Sequence, residues 1–167
     1  LKIYRFVLDT CILIKAFDIQ AAHFSLDCFS LAGAFHSESN LGIVLDFEEK
    51  ISGEYRKKLQ DNKAYQKWLN AMYYSKKITY QSCRLDEKIR KKLEELGFHE
   101  VTDQTFVAVA LNSDKNIVSE DSDYGKGNEA RAKSPEKQAV LKYMTESLGL
   151  KVMDSIEGLN FIRKTGI

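Results

Sequence analysis

Asp9, Glu54, Asp103, Asp121 and Asp123 are scattered over more than a hundred positions, yet they recur where apolar strand-like runs end or helix-like segments begin. Asp9 closes the run Ile3-Tyr4-Arg5-Phe6-Val7-Leu8, and Asp121 and Asp123 follow Asn116-Ile117-Val118-Ser119. In a parallel sheet, acids so placed meet at one edge, and ligands collect at the carboxyl ends of such strands. Carboxylates forced close together raise one another's pKa unless a cation neutralises them. Hard oxygen donors without a His/Cys set point to Mg²⁺ or Mn²⁺ rather than zinc.

Each acid also has an ordinary structural explanation. Asp9 can be a helix cap, and Asp103 a first-turn residue favoured by the helix dipole. Glu54 should lie about two turns inside its helix, where no capping role exists and a solvated surface glutamate is the alternative. Asp46, Glu48 and Glu49 are explained by capping and solvation. Ser119-Glu120-Asp121-Ser122-Asp123-Tyr124 is too polar for a core and too acidic for an ordinary turn.

The elements that must position these acids alternate along the chain. Residues 3 to 8 read as a buried strand, followed by a helix carrying Ile12, Leu13 and Ile14 and a second helix over residues 20 to 35. Residues 42 to 45 form a second apolar run, after which Asp46 and Glu49 match a capping box for a helix carrying Ile51, Tyr55 and Leu59. Leu85, Ile89, Leu93 and Leu96 repeat at helical spacing before Gly97, and Thr102-Asp103 opens another helix. Ile117-Val118 reads as a third strand, residues 136 to 148 as a helix and residues 150 to 153 as a fourth strand. This order predicts an α/β fold with a mainly parallel sheet covered on both faces. The glycine-rich and basic stretch 125 to 134 reads as the most mobile loop.

The 167 residues, 44% hydrophobic with one proline, suit a single domain spanning residues 1 to 167 with a sizeable core. A formal net charge of +1 excludes no partner class, because a local basic patch can bind nucleic acid while distant acids cancel the total. Three cysteines without C-x-x-C spacing, and no stretch resembling a secretory leader, predict a reduced, cytoplasmic protein. No apolar run approaches the roughly 18 residues needed to cross a bilayer.

Phosphate contacts dominate nucleic-acid affinity, so a protein acting on nucleic acid would need cations beside its acids. Arg56-Lys57-Lys58 follows Glu54, Lys126, Arg131 and Lys133 follow Asp123, and Lys15 follows Asp9. Lys57, Lys126 and Arg131, with the Ser119 hydroxyl, are the expected substrate contacts. Gly125-Lys126-Gly127 lacks P-loop spacing, and His36-Ser37-Glu38 lacks the P-C-x-x-C of zinc deaminases. Cys11 and Cys28 read as small core residues, and Tyr65, Trp68, Met72 and Tyr73 as packing.

Val7-Leu8-Asp9-Thr10-Cys11-Ile12-Leu13, Ile51-Ser52-Gly53-Glu54-Tyr55, Asp103-Gln104-Thr105-Phe106-Val107-Ala108-Val109-Ala110 and Ile117-Val118-Ser119-Glu120-Asp121-Ser122-Asp123-Tyr124 resemble, in order, the four acidic motifs of PIN-domain nucleases. The resemblance spans residues 3 to 155 and implies a three-layer α/β/α PIN-like domain. It also implies phosphodiester hydrolysis of RNA with Mg²⁺ or Mn²⁺, leaving 5′-phosphate and 3′-hydroxyl ends. Asp9, Asp103 and Asp121 would be inner metal ligands, with Glu54 and Asp123 acting through water or a second ion; Asp123 is counted among both the catalytic and the metal-binding acids. Ser119 stands where the family more often has threonine. By the same resemblance the chain is expected to be the ribonuclease toxin of a toxin-antitoxin module, homodimeric and silenced by a small protein antitoxin. The alternative is a non-catalytic PIN-like module that binds RNA or protein. A phosphatase reading of Asp9 lacks the second acid of D-x-D, since position 11 is cysteine.

Overall fold

The computed structural model describes residues 2–20 and 22–165. Five strands form one sheet: β1 (Tyr4–Leu8), β2 (Leu41–Asp46), β3 (Ile78–Gln81), β4 (Asn116–Val118) and β5 (Lys151–Met153). Their order is β3-β2-β1-β4-β5, and every neighbouring pair is parallel. Eight α-helices among the described residues flank this sheet: α1 (Thr10–Phe17), α2 (Leu26–Ser37), α3 (Lys50–Leu59), α4 (Lys63–Tyr74), α5 (Glu87–Glu95), α6 (Val101–Leu111), α7 (Pro135–Lys142) and α8 (Ser155–Lys164). The result is the three-layer α/β/α arrangement, with the sheet wholly rather than mainly parallel. No helix among the described residues is long and apolar enough to cross a membrane.

The buried strands are near-continuous apolar runs, as parallel strands covered by helices require. Phe6, Val7, Leu8, Ile43, Val44, Ile117 and Val118 are at most 1% exposed. α6 lies across β1, β2 and β4, and Phe106, Val107, Val109 and Ala110 of this helix join the core. At Gly158 of α8, a Cβ would stand in ordinary contact, 3.5 to 3.7 Å, with Leu31 of α2 and Val118 of β4, so the helix packs directly on both elements.

The strand order reverses at β1. The chain proceeds from β1 outward to β2 and β3, then returns to place β4 on the other side of β1. Helical connections diverge at such a reversal and leave a crevice at the strands' carboxyl ends. Leu8 pairs with Val118, and the Asp9 amide donates to the Val118 carbonyl at 2.9 Å, so Asp9 and Ser119 emerge together at that crevice.

Several elements differ from their sequence expectation. β3, α4 and α8 had no counterpart, and Ile117-Val118 belongs to the fourth strand rather than the third. β3 is a partly exposed edge strand, so its residues carry no continuous apolar run. α4 buries Tyr65, Trp68 and Met72 at helical spacing, and α8 begins with the Asp154/Glu157 capping box. The second helix starts later than expected, at Leu26, where the Ser25 side chain caps it; position 21 of the expected span lies outside the described residues. Its buried stripe is Cys28, Leu31, Ala32 and Phe35, leaving Leu26 and Phe29 outward. The helix expected over 136 to 148 is α7 followed by a π-type turn at Tyr143–Ser147. In the glycine-rich loop, Gln138 donates to the carbonyls of Gly125 (3.2 Å) and Ala132 (2.8 Å), tying the stretch to α7.

The expected Asp46/Glu49 capping box does not form. Glu49 itself adopts a left-handed conformation with φ 59°, and its carboxylate turns to Arg56. Asp46 still caps α3, because its two carboxylate oxygens accept the amides of Lys50 and Ile51 at 2.8 Å each. The Asp46 side chain is fully buried, so these bonds are all that offset its desolvation. Asp46→Ala is expected to lower stability by about 2 kcal/mol, read from the urea midpoint, with Asp46→Asn recovering part of the loss.

Candidate metal centre

Asp9 is 5% exposed and sits at the N-cap position of α1, yet its carboxylate makes no capping hydrogen bond. It turns instead toward β4. The Ser119 hydroxyl donates to Asp9 Oδ2 at 2.6 Å, and the Cys11 thiol donates to the same oxygen at 3.3 Å. The Ser119 oxygen also accepts the Asp121 amide at 3.0 Å, so one fully buried hydroxyl joins the first acid to the loop that carries the third. Cys11 Sγ accepts the Glu120 amide at 3.4 Å, closing a second link between these segments. Burial holds the Cys11 thiol far toward its neutral form, with Asp9 adding to the effect, so it serves as a donor.

Asp103 arrives from the first turn of α6. Tyr124, fully buried, donates its hydroxyl to the Asp103 backbone carbonyl at 3.2 Å and packs its ring edge-on against Phe98. Burial, and then the fields of Asp9, Asp121, Asp123 and Glu100, push the Asp103 carboxyl up to about 8. Asp9 is likewise raised, first by burial and further by Asp121, against the opposing hydrogen bonds from Ser119 and Cys11. The fields acting on Asp103 and Asp9 thus come from acids of three separate stretches of chain, Asp9, Asp103, and Asp121 with Asp123.

The four acids are not equivalent. Asp123 Oδ1 is 2.7 Å from both Lys137 Nζ and Arg131 Nη2. Lys137 is 3% exposed and also reaches the Gly97 carbonyl at 3.5 Å. Asp9, Asp103 and Asp121 form no ion pair with a described residue. Three hard-oxygen groups lacking a compensating charge fit a divalent cation, whereas Asp123 already has its cations. No three of the four have donor atoms all within 4.8 Å of one another, a property found instead at Asp46, Glu48 and Cys83. Opposite ligands of one Mg²⁺ stand roughly 4 Å apart, so Asp9, Asp103 and Asp121 would share one ion only if their side chains rotated inward. In the Asp46 group each Asp46 oxygen already accepts an amide of α3 and the Cys83 thiol donates to Glu48, which gives these atoms partners within the protein.

The remaining expected residues are dispersed. Glu54 is half-buried on α3 next to Tyr55, whose hydroxyl donates to the Leu8 carbonyl. It makes no hydrogen bond or ion pair with a described residue, and it is not among the leading charges acting on Asp9 or Asp103. Lys57 lines a surface recess with Ile14, Asp18 and Lys58, near the end of α1 away from Asp9. Lys126 is paired with Glu157 at 2.7 Å, and Arg131 is engaged by Asp123. Ser119 is enclosed, a position suited to holding Asp9 and Asp121 in place.

Supporting residues with no place in the sequence reading also appear. Lys137 lies on the buried stripe Lys137, Val140 and Met144, and a lysine on such a stripe is a readable signal of a buried ion pair. Glu120 accepts from Lys15 Nζ at 2.8 Å and from the Ser155 hydroxyl, tying α1 and α8 to the acidic loop. Gly125, with φ 71°, passes so close to α7 that a Cβ would stand 2.8 Å from the Lys137 carbonyl.

Compared with protein-family profiles, with curated proteins and with solved structures, the chain matches none.

Two outcomes follow from the charges. A carboxyl raised from its ordinary 3.8 to about 8 keeps its proton in the folded chain while the unfolded chain has lost it. Without divalent cations, stability should therefore fall as pH rises from about 4 to about 8, and Asp103→Asn should flatten much of that slope in chemical denaturation. Lys137→Met should cost about 3 kcal/mol, because it leaves Asp123 partly buried with one exposed partner. Adding Asp123→Asn to Lys137→Met should recover part of the loss.

Proposed function

We propose that this protein is a nuclease that hydrolyses phosphodiester bonds in RNA with Mg²⁺ or Mn²⁺. The observation that carries the reading is the convergence of Asp9, Asp103 and Asp121, without cationic partners, at the crevice where the strand order reverses. The in-order resemblance to the acidic motifs of PIN-domain nucleases supports the same chemistry. The toxin role, the antitoxin and the homodimer rest on that resemblance alone and do not enter the proposal.

Asp9, Asp103 and Asp121 would hold the divalent ion, which supplies Lewis-acid polarisation of a phosphoryl oxygen and activation of an attacking water. Ser119 keeps Asp9 oriented by donating to Oδ2 and keeps Asp121 near it by accepting its amide. Asp123, anchored by Lys137 and Arg131, fixes the turn after Asp121, whose Oδ1 accepts the Asp123 amide at 2.8 Å. Arg131, 60% exposed, also presents its guanidinium toward solvent beside the acids, where a phosphate could meet it. Raised proton affinity at Asp9 and Asp103 means that protons and cations compete for the site, so activity should rise from acid toward mildly alkaline pH.

Purified protein should cut RNA in the presence of Mg²⁺ or Mn²⁺ and lose activity in chelator. Asp9→Asn and Asp103→Asn should fall to background and lose the thermal stabilisation by Mg²⁺. Ser119→Ala, which keeps all the carboxylates, should lose roughly tenfold to a hundredfold. Cleavage that survives chelation, or full activity in Asp103→Asn, would sink the assignment. A parallel panel of single-stranded DNA decides whether ribose is required.

A further inference from the structure

Two exposed aromatic rings stand on the same edge of the sheet as the acids. Phe47, the residue after β2, is 68% exposed, and Tyr80, next to last in β3, is 41% exposed. Their ring centroids are 6.3 Å apart, with planes 25° from parallel. The backbone sets this pairing. The Phe47 amide donates to the Gln81 carbonyl at 3.1 Å, and Leu45 is the ladder partner of Tyr80. Side chains alternate along a strand, so Phe47 shares the face of Leu45 and hence of Tyr80. Large aromatic surface left in water at this density is characteristic of recognition sites.

Their position relates them to the acidic crevice. All strands are parallel, so the carboxyl ends of β3, β2, β1 and β4 lie along one edge in that order. Neighbouring strands are about 4.8 Å apart, which puts β3 roughly 10 Å from β1. Lys50 and Arg84 are exposed and neither forms an ion pair with a described residue, although Lys50 Nζ lies 3.4 Å from Cys83 Sγ. The exposed acids nearby are Glu48, Glu49, which pairs with Arg56 at 3.4 Å, and Asp86, which caps α5, while Asp46 is buried and occupied by the amides of α3.

Flat apolar faces beside unpaired cations fit a ligand that is itself flat and anionic. We infer that Phe47 and Tyr80 form a stacking platform for an unpaired base of a single-stranded nucleic acid, with Lys50 and Arg84 meeting its phosphates, while the same strand crosses the acidic crevice. The inference deepens the nuclease reading and rests on it. Bases within a duplex keep their faces stacked on one another, so the platform selects single strands or loops.

The test uses Asp9→Asn protein, which binds without cutting, and a labelled single-stranded RNA of about ten nucleotides. Adding Phe47→Ala or Tyr80→Ala should weaken binding about tenfold each, leaving affinity for a duplex of the same sequence unchanged. Phe47→Trp should retain affinity and lose indole fluorescence as RNA is added, a signal that cleavage does not influence. Lys50→Glu should weaken binding and reduce its salt dependence. Unchanged single-strand affinity in both alanine variants overturns the platform while leaving the nuclease assignment intact if the wild-type chain still cuts RNA. Altered self-association in Phe47→Ala with unchanged RNA affinity also overturns it, in favour of a protein contact. RNA that is neither bound nor cut by any form of the protein defeats the nuclease reading and the platform together.

Discussion

Unbalanced negative charge at the reversal of the sheet is the constraint around which this structure is organised. Asp9, Asp103 and Asp121 are brought together in a partly buried place where ionised groups repel strongly and water screens little. Burial and mutual repulsion both raise the proton affinity of Asp9 and Asp103. A fold left to maximise its own stability would neutralise such a cluster or disperse it. Here the backbone holds it together, through the β1–β4 ladder, the Ser119 hydroxyl and the Tyr124 bond to the start of α6.

The neighbouring charges show the contrast. Asp123 and Glu120 lie in the same short stretch as Asp121, and each is satisfied within the protein, Asp123 by Lys137 and Arg131, Glu120 by Lys15 and Ser155. The first pair anchors the loop to α7, and the second anchors it to α1 and α8. Cations on this side of the molecule are thus spent on the acids that shape the loop. The three acids at its centre have no cation of the described residues paired with them, which is the division of labour the proposed metal site would need.

The edge of the sheet then acquires a direction. Toward β4 it carries the acidic loop with its internal cations; toward β3 it carries exposed rings with cations that have no acidic partner. Both flanks follow from one topological fact. Parallel strands direct all their carboxyl ends to the same side, so side chains far apart in the chain share one surface.

Much of this was legible in the residues. The runs ending at Asp9 and at Ser119 identified strands by their apolar continuity, Gly97 identified a helix end, and the placement of Asp9, Asp103 and Asp121 at element boundaries pointed to a shared edge. Such features are local, and local pattern is what a sequence displays directly. β3 and α8 were missed for opposite reasons: a half-exposed edge strand carries a weak pattern, while the Asp154/Glu157 box was present and readable. Asp46 and Glu49 matched a capping box in spacing, but the left-handed turn at Glu49 decided that only Asp46 would cap. Which acids would have cationic partners could not be read at all, because Lys137 is distant from Asp123 in sequence and reaches it only when α7 folds against the loop. By itself the sequence determined four of the five strands, most helices and the set of candidate carboxylates. The tertiary structure alone decided which of them remain uncompensated, since that depends on through-space distances and burial, which no spacing along the chain encodes.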